Sequence, residues 1–156
     1  MKSYLSKALL LSLFVAVFAG CDKDDDDDNN NQIVEKKGIA IQGAQEVPAK
    51  TVDGSGTADV TYNKSTKVMN FTLNWTGLTG VPTGAHIHGP AARGANAGIK
   101  FDFFDAFPKT ASGTYSSSVT VDNVNIKEDS LLGGFYYFNI HTDLNKGGEI
   151  RGQIEF

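Results

Sequence analysis

Only three histidines occur in the 156 residues, and two of them stand one residue apart, in Gly84-Ala85-His86-Ile87-His88-Gly89-Pro90-Ala91. A neutral imidazole nitrogen is a good ligand for copper and zinc, and His-x-His on a strand puts two such ligands on one face. The third, His141, ends the run Tyr136-Tyr137-Phe138-Asn139-Ile140-His141. Alternation along that run sets Tyr136, Phe138 and Ile140 on the more apolar face and turns Tyr137, Asn139 and His141 outward. Ile87 is the core residue of His86-Ile87-His88, so both of its neighbours face outward too. On the last strand Ile150, Ile154 and Phe156 face in, and Glu149, Arg151, Gln153 and Glu155 face out. If the His86 strand lies beside the His141 strand, three imidazoles converge on the outer face, with Arg151 nearby.

Two readings of that set stand side by side. His86, His88 and His141 are metal ligands, or they are structural residues that hydrogen-bond to loops and fix the Gly89-Pro90 turn. Glu149 and Arg151, two apart on one strand, read as a surface ion pair of small energy rather than a catalytic pair. Asp102 and Asp105 sit among Phe101, Phe103, Phe104 and Phe107, which reads as core and a loop plug rather than an acid pair. Trp75 belongs to the core rather than to a sugar-binding platform. No Ser/His/Asp pattern, phosphate-cradling glycine loop or internal repeat is present, and no catalytic residue is assigned.

The elements that position these residues are strands. Met69, Phe71, Leu73 and Trp75 alternate with Asn70, Thr72 and Asn74, the pattern of a half-buried strand. Ile39 to Ile41, Thr57 to Tyr62, Ile99 to Phe104, Tyr115 to Val121, Tyr136 to His141 and Glu149 to Phe156 read the same way. Asp53 to Gly56, Asn63 to Ser65, Gly77 to Gly84 and Asn145 to Gly148 are turn-forming clusters. Ile126 to Leu132 predicts two helical turns stopped by Gly133-Gly134, before the penultimate strand. The short loop Thr142 to Gly148 predicts that the last two strands pair as a hairpin. The fold expected is all-β: an antiparallel Greek-key β-sandwich of seven or eight strands.

The N-terminal end has a different composition. Lys2 and Lys7 precede an apolar run from Ala8 to Phe18, which has the length of a secretory leader rather than a bilayer-spanning helix. Phe18-Ala19-Gly20-Cys21 resembles the lipobox of bacterial lipoproteins, which implies cleavage before Cys21 and its acylation. Cys21 is the sole cysteine, so no intrachain disulfide is available to the domain. Asp22 to Gln32, DKDDDDDNNNQ, is a charged spacer that cannot be buried. It resembles the surface-export signal of Bacteroidota lipoproteins. The expected division is a leader at 1–20, an acidic tether at 21–32 and one folded domain at 33–156. Net charge is −4; without the leader's two lysines it is −6, and without the tether's six aspartates and one lysine about −1. A nearly neutral domain carries no electrostatic footprint for nucleic acid. Asn63-Lys64-Ser65 and Asn74-Trp75-Thr76 match the glycosylation pattern but are set aside in a bacterial lipoprotein.

Several motifs in register resemble the CHRD domain, the module named after chordin. They are Gly43-Ala44-Gln45-Glu46-Val47-Pro48 with Gly56-Thr57-Ala58; Leu78-Thr79-Gly80 leading into Ala85 to Ala91; and Tyr137 to Thr142 followed by Gly148-Glu149-Ile150-Arg151-Gly152-Gln153. The resemblance spans Gly38 to Phe156. It implies a β-sandwich module and, as in the animal proteins, extracellular protein binding, with no settled activity for bacterial members. A weaker resemblance links His86-x-His88, His141 and Arg151 to the copper ligands and anion-guiding arginine of Cu/Zn superoxide dismutase. It implies copper rather than zinc. This chain lacks the bridging histidine, the zinc ligands and the disulfide, which counts against zinc-assisted dismutation.

The functional expectation is therefore a non-enzymatic, lipid-anchored binding module of the bacterial cell envelope, with an unidentified ligand. It would sit in the outer membrane, surface-exposed, and meet the membrane through its anchor and an envelope or extracellular protein as partner. The alternative is a copper-binding protein or copper-dependent oxidoreductase using His86, His88 and His141.

Overall fold

The computed structural model describes residues 32–156. The leader, Cys21 and all of the acidic stretch but Gln32 lie outside the described residues. Eight strands form one antiparallel sheet: β1 Ile33–Gln42, β2 Ser55–Asn63, β3 Val68–Thr76, β4 Pro82–His88, β5 Ile99–Asp102, β6 Gly113–Thr120, β7 Tyr136–Thr142 and β8 Asn145–Ile154. Their order is β5-β4-β7-β8-β1-β2-β3-β6. The sheet rolls nearly into a barrel. Phe71 of β3 meets Phe138 of β7 with ring centroids 5.1 Å apart, although three strands lie between them in the hydrogen-bonded order. Phe103, just after β5, stacks on Tyr115 of β6 at 5.6 Å, so aromatic side chains bridge the two unpaired edges. The expected all-β architecture holds. The connections β3–β4, β5–β6 and β6–β7 carry the chain between non-neighbouring strands.

One half of the sheet follows simple alternation. In β2 and β3, Ala58, Val60, Tyr62, Met69, Phe71, Leu73 and Trp75 are buried, and the residues between them face solvent. Burying such a row on each strand supplies the main driving force, about 1.5–3 kcal/mol for each large apolar side chain. The β2–β3 register is continuous from Ser55↔Thr76 to Asn63↔Val68. Its turn is held by the Asn63 side-chain oxygen, which accepts from the N–H groups of Ser65 and Thr66 at 2.9 and 3.0 Å. The helical segment shrinks to α1, Glu128–Leu132. Leu131 plugs the core, and Glu128 accepts hydrogen bonds from Tyr62 and Lys67.

The other half, β4-β7-β8, is buried on both faces. Tyr136, Phe138, Ile140, Ile87 and Ile150 fill the inner face as expected. The outer face is not solvent. Tyr137, Asn139, Glu149, Arg151, Gln153 and His88 are all buried as well. Loops cover them, Gly43 to Lys50 and Gly89 to Gly98 over Asn139, Arg151 and Gln153 and Gly54 with Thr79 over Glu149, so the expected exposure of Glu149, Arg151 and Gln153 is corrected. Alternation identifies the face a side chain takes, but not what lies over that face.

Candidate metal centre

The condition that the sequence left open is met: β4 pairs with β7, with Gly84↔His141, His86↔Asn139 and His88↔Tyr137 opposite one another. This register brings all three histidines to one point. One ring nitrogen from each of His86, His88 and His141 lies within 4.8 Å of the other two. Gly84 makes room for them. A Cβ there would stand 2.9 Å from His86 Cε1 and 3.2 Å from His141 Cδ2, so any side chain would displace both rings.

The second nitrogen of two rings is tied to a loop carbonyl. His141 Nδ1 is 3.0 Å from the Lys146 oxygen, and His88 Nδ1 is 3.0 Å from the Ala97 oxygen. A carbonyl only accepts, so each Nδ1 carries the proton and each Nε2 presents a lone pair to the cluster. His88 Nε2 is buried and has no partner among the described residues. A buried, unpartnered acceptor costs stability in an ordinary core, and it is what a metal site presents before the ion binds. His86 turns Nδ1 inward, 3.1 Å from His141 Nε2.

Burial holds all three rings neutral. It pulls His86 down to about 4, helped by the neighbouring His141 and opposed by Asp102. Burial also lowers His88 and His141, against the hydrogen bonds from their Nδ1 atoms. Neutral imidazole is the form that binds metal.

Beside the cluster runs a layered stack. The Tyr137 ring lies parallel to His88, 8° between planes and 5.1 Å between centroids. The Arg151 guanidinium covers the ring of Tyr137, 3.5 Å from its centroid, a cation–π contact strengthened by desolvation. Arg151 donates to the Ala95 carbonyl at 2.9 Å, Gln153 Oε1 at 3.1 Å and Asn96 Oδ1 at 3.3 Å. Among the described residues it has no ion-pair partner. The expected Glu149–Arg151 surface pair does not form; Glu149 binds Thr79 and Thr142 instead. Arg151 is 1% exposed, so it braces the stack and the 89–98 loop rather than standing open to an incoming anion.

Asp102 faces His86, with Oδ1 3.7 Å from Nε2, while Phe103 and Phe107 enter the core and Asp105 stays exposed. Sequence reasoning did not single out Glu46, Asn139 and Tyr137 as part of this site. Glu46 is buried and its Oε1 accepts from Asn139 Nδ2 at 2.7 Å. The signal available was the shared outer face of Tyr137, Asn139 and His141.

Residues 38–154 match the family model of the CHRD domain. The chain belongs to the CHRD family. Neither the curated proteins nor the solved structures give a significant match. The match takes in every residue of the histidine cluster, so the site is built within the CHRD domain itself. A CHRD domain is a binding module, and the family leaves its ligand unspecified. No helix among the described residues is long and apolar enough to cross a membrane.

Proposed function

We propose that this CHRD module binds a transition-metal ion through His86 Nδ1, His88 Nε2 and His141 Nε2, and that the ion is copper before zinc. The observation that carries this reading is the convergence of three neutral imidazoles, two of them locked by loop carbonyls into the ligating tautomer. Second nitrogens tied in this way are the usual support of metal-binding histidines. The all-nitrogen donor set suits both ions; the weaker likeness to the dismutase copper ligands favours copper. The ion would supply a Lewis-acidic and, as copper, a redox-active centre. Tyr137, Arg151 and the 89–98 loop exclude water from one side of it and hold the rings in place.

Calorimetric titration of the full-length chain with Cu²⁺ and Zn²⁺ tests the reading. One equivalent should bind at micromolar affinity or tighter, and His86→Ala/His141→Ala should lose that binding by at least 100-fold. The variant keeps the acidic stretch, so weak binding by Asp22 to Asp28 is measured in the same experiment. Tight binding that survives in the variant would remove the site.

The module is further proposed to be anchored to the bacterial envelope through lipid on Cys21, with the acidic stretch as a spacer. The lipobox-like Phe18 to Cys21 supports this. Cys21→Ser should move the protein from the membrane fraction to the soluble one; unchanged membrane retention would refute the anchor. A second reading, a copper-dependent oxidoreductase, draws on the donor count. Three protein nitrogens leave a four-coordinate ion one position for an outside ligand. Copper-dependent turnover of superoxide or peroxide by the loaded wild type, absent from the double variant, would favour it.

A further inference from the structure

Asp102 is placed opposite His86 by the β4–β5 register, His86↔Asp102. Its carboxylate is oriented by the chain: Oδ1 accepts the Phe104 N–H at 2.9 Å. The same Oδ1 stands 3.7 Å from His86 Nε2, beyond hydrogen-bonding distance. The proton positions around the cluster explain that gap.

His141 carries its proton on Nδ1, because Nδ1 faces the Lys146 carbonyl. Its Nε2 is therefore a bare acceptor. The short contact of 3.1 Å from His86 Nδ1 to that acceptor requires His86 to donate from Nδ1. Neutral His86 then has its lone pair on Nε2, and that lone pair meets a carboxylate oxygen. Two acceptors face each other, and they stand apart. A metal ion drawing on all three histidines needs the opposite arrangement at His86, with the lone pair on Nδ1.

We propose that metal binding switches the tautomer of His86, and that Asp102 is the positioning residue for the loaded form. The assignment rests on the metal-binding reading above. The Nδ1–H bond breaks and an Nε2–H bond forms, with the proton carried round through water at the Asp102 side, where that side chain is 63% exposed. No proton is gained or lost overall. The new Nε2–H donates to Asp102 Oδ1, closing the gap and completing a carboxylate–histidine–metal arrangement. His88 and His141 are already in their ligating tautomers, so His86 alone has to change. This gives Asp102 a task that neither its exposure nor its place at a strand end would suggest.

Long-range ¹H–¹⁵N correlation spectra of the full-length chain, with ¹⁵N-histidine, read the tautomers directly. Zn²⁺ and Cu⁺ are the probes, since both are diamagnetic. Expected without metal are Nδ1–H forms for all three rings; expected with metal, an Nε2–H form for His86 only. Asp102→Ala should weaken binding of either ion by about 10- to 100-fold, the usual cost of losing such a partner. Asp102→Asn, which keeps an acceptor oxygen, should recover part of that loss. A His86 that is already Nε2–H without metal overturns the assignment, as does one that stays Nδ1–H with metal bound. So does unaltered affinity in Asp102→Ala. A chain whose histidine signals respond to neither ion overturns the metal-binding reading as well.

Discussion

Glu149→Ala is expected to destabilise the fold by about 3–5 kcal/mol, the cost of leaving several buried hydrogen-bond donors unpartnered. Glu149 is 0% exposed, and no cation among the described residues pairs with it. Hydrogen bonds do the compensating. The carboxylate accepts from the Thr79 N–H at 2.8 Å, the Thr79 and Thr142 hydroxyls at 2.5 Å each, and Asn145 Nδ2 at 3.2 Å. These donors come from the β3–β4 loop, the end of β7 and the start of β8, so one side chain joins three segments. Burial pushes this carboxyl up, but Thr142, Thr79 and Asn145 outweigh it and hold it below its usual value. A lowered acid stabilises the fold above the unfolded carboxyl's value of 4.5 and loses that contribution as pH falls through the folded value. Truncation to alanine would leave the donors unpartnered, each at about 1–3 kcal/mol. Against a total stability of about 5–15 kcal/mol, the loss is severe. Glu149→Gln, which keeps the shape and one acceptor oxygen, should lie between alanine and wild type in urea unfolding at pH 7. A loss under about 1 kcal/mol in Glu149→Ala would show that the carboxylate does not hold these segments together.

That clamp also shows where sequence reading stops. The β2–β3 half was legible because Met69, Phe71, Leu73 and Trp75 alternate with small polar residues, and one bare face of the sheet meets water. The convergence of His86, His88 and His141 was legible too. Face assignment by alternation survives whatever covers the face, and it needed only β4 beside β7. The cover itself was not legible. Gly89 to Gly98 is largely alanine and glycine, and it acts through backbone groups: the Ala91 and Ala95 carbonyls, and both the N–H and the carbonyl of Ala97. Backbone groups leave no trace in residue type, so Arg151 and Gln153 looked like surface residues; Glu149 did too, because Thr79, which donates to it twice, stands 70 residues away along the chain. In the sequence Asp102 stands out only as an acid among phenylalanines. Its place opposite His86 depends on a β4–β5 register with an irregularity between Ile87 and His88, which no periodicity reveals.

The buried acid and the buried bases of the site should oppose one another as pH changes, and Glu46→Gln should separate them. Burial pushes Glu46 up to about 7, against the Asn139 hydrogen bond and the charges of Arg151 and Lys50. Burial pulls His86 down to about 4. For Glu46 the folded value lies above the unfolded 4.5, so its contribution is fully present below 4.5 and is lost as pH rises through 7. For His86 the folded value lies below the unfolded 6.5, so its contribution is fully present above 6.5 and is lost as pH falls through 4. Between 4.5 and 6.5 the slopes have opposite signs. Each displacement corresponds to about 2–3 kcal/mol after allowing for solvent screening, so the two nearly cancel. His88 and His141, also lowered, tilt the metal-free wild type slightly toward higher stability as pH rises. Glu46→Gln removes the opposing slope and keeps an oxygen for Asn139. In urea unfolding with EDTA, the variant should match wild type near pH 4 and exceed it by about 2–3 kcal/mol at pH 8. Its stability should climb steeply between pH 4 and 6.5, exposing the cost of protonating the histidine cluster. Parallel curves for the two proteins across that range would mean that Glu46 titrates alike in the folded and unfolded chain and that the opposition does not exist. A steep variant curve would instead show that the three imidazoles stay neutral in the fold well below pH 6.5, ready to take an ion under mildly acidic conditions.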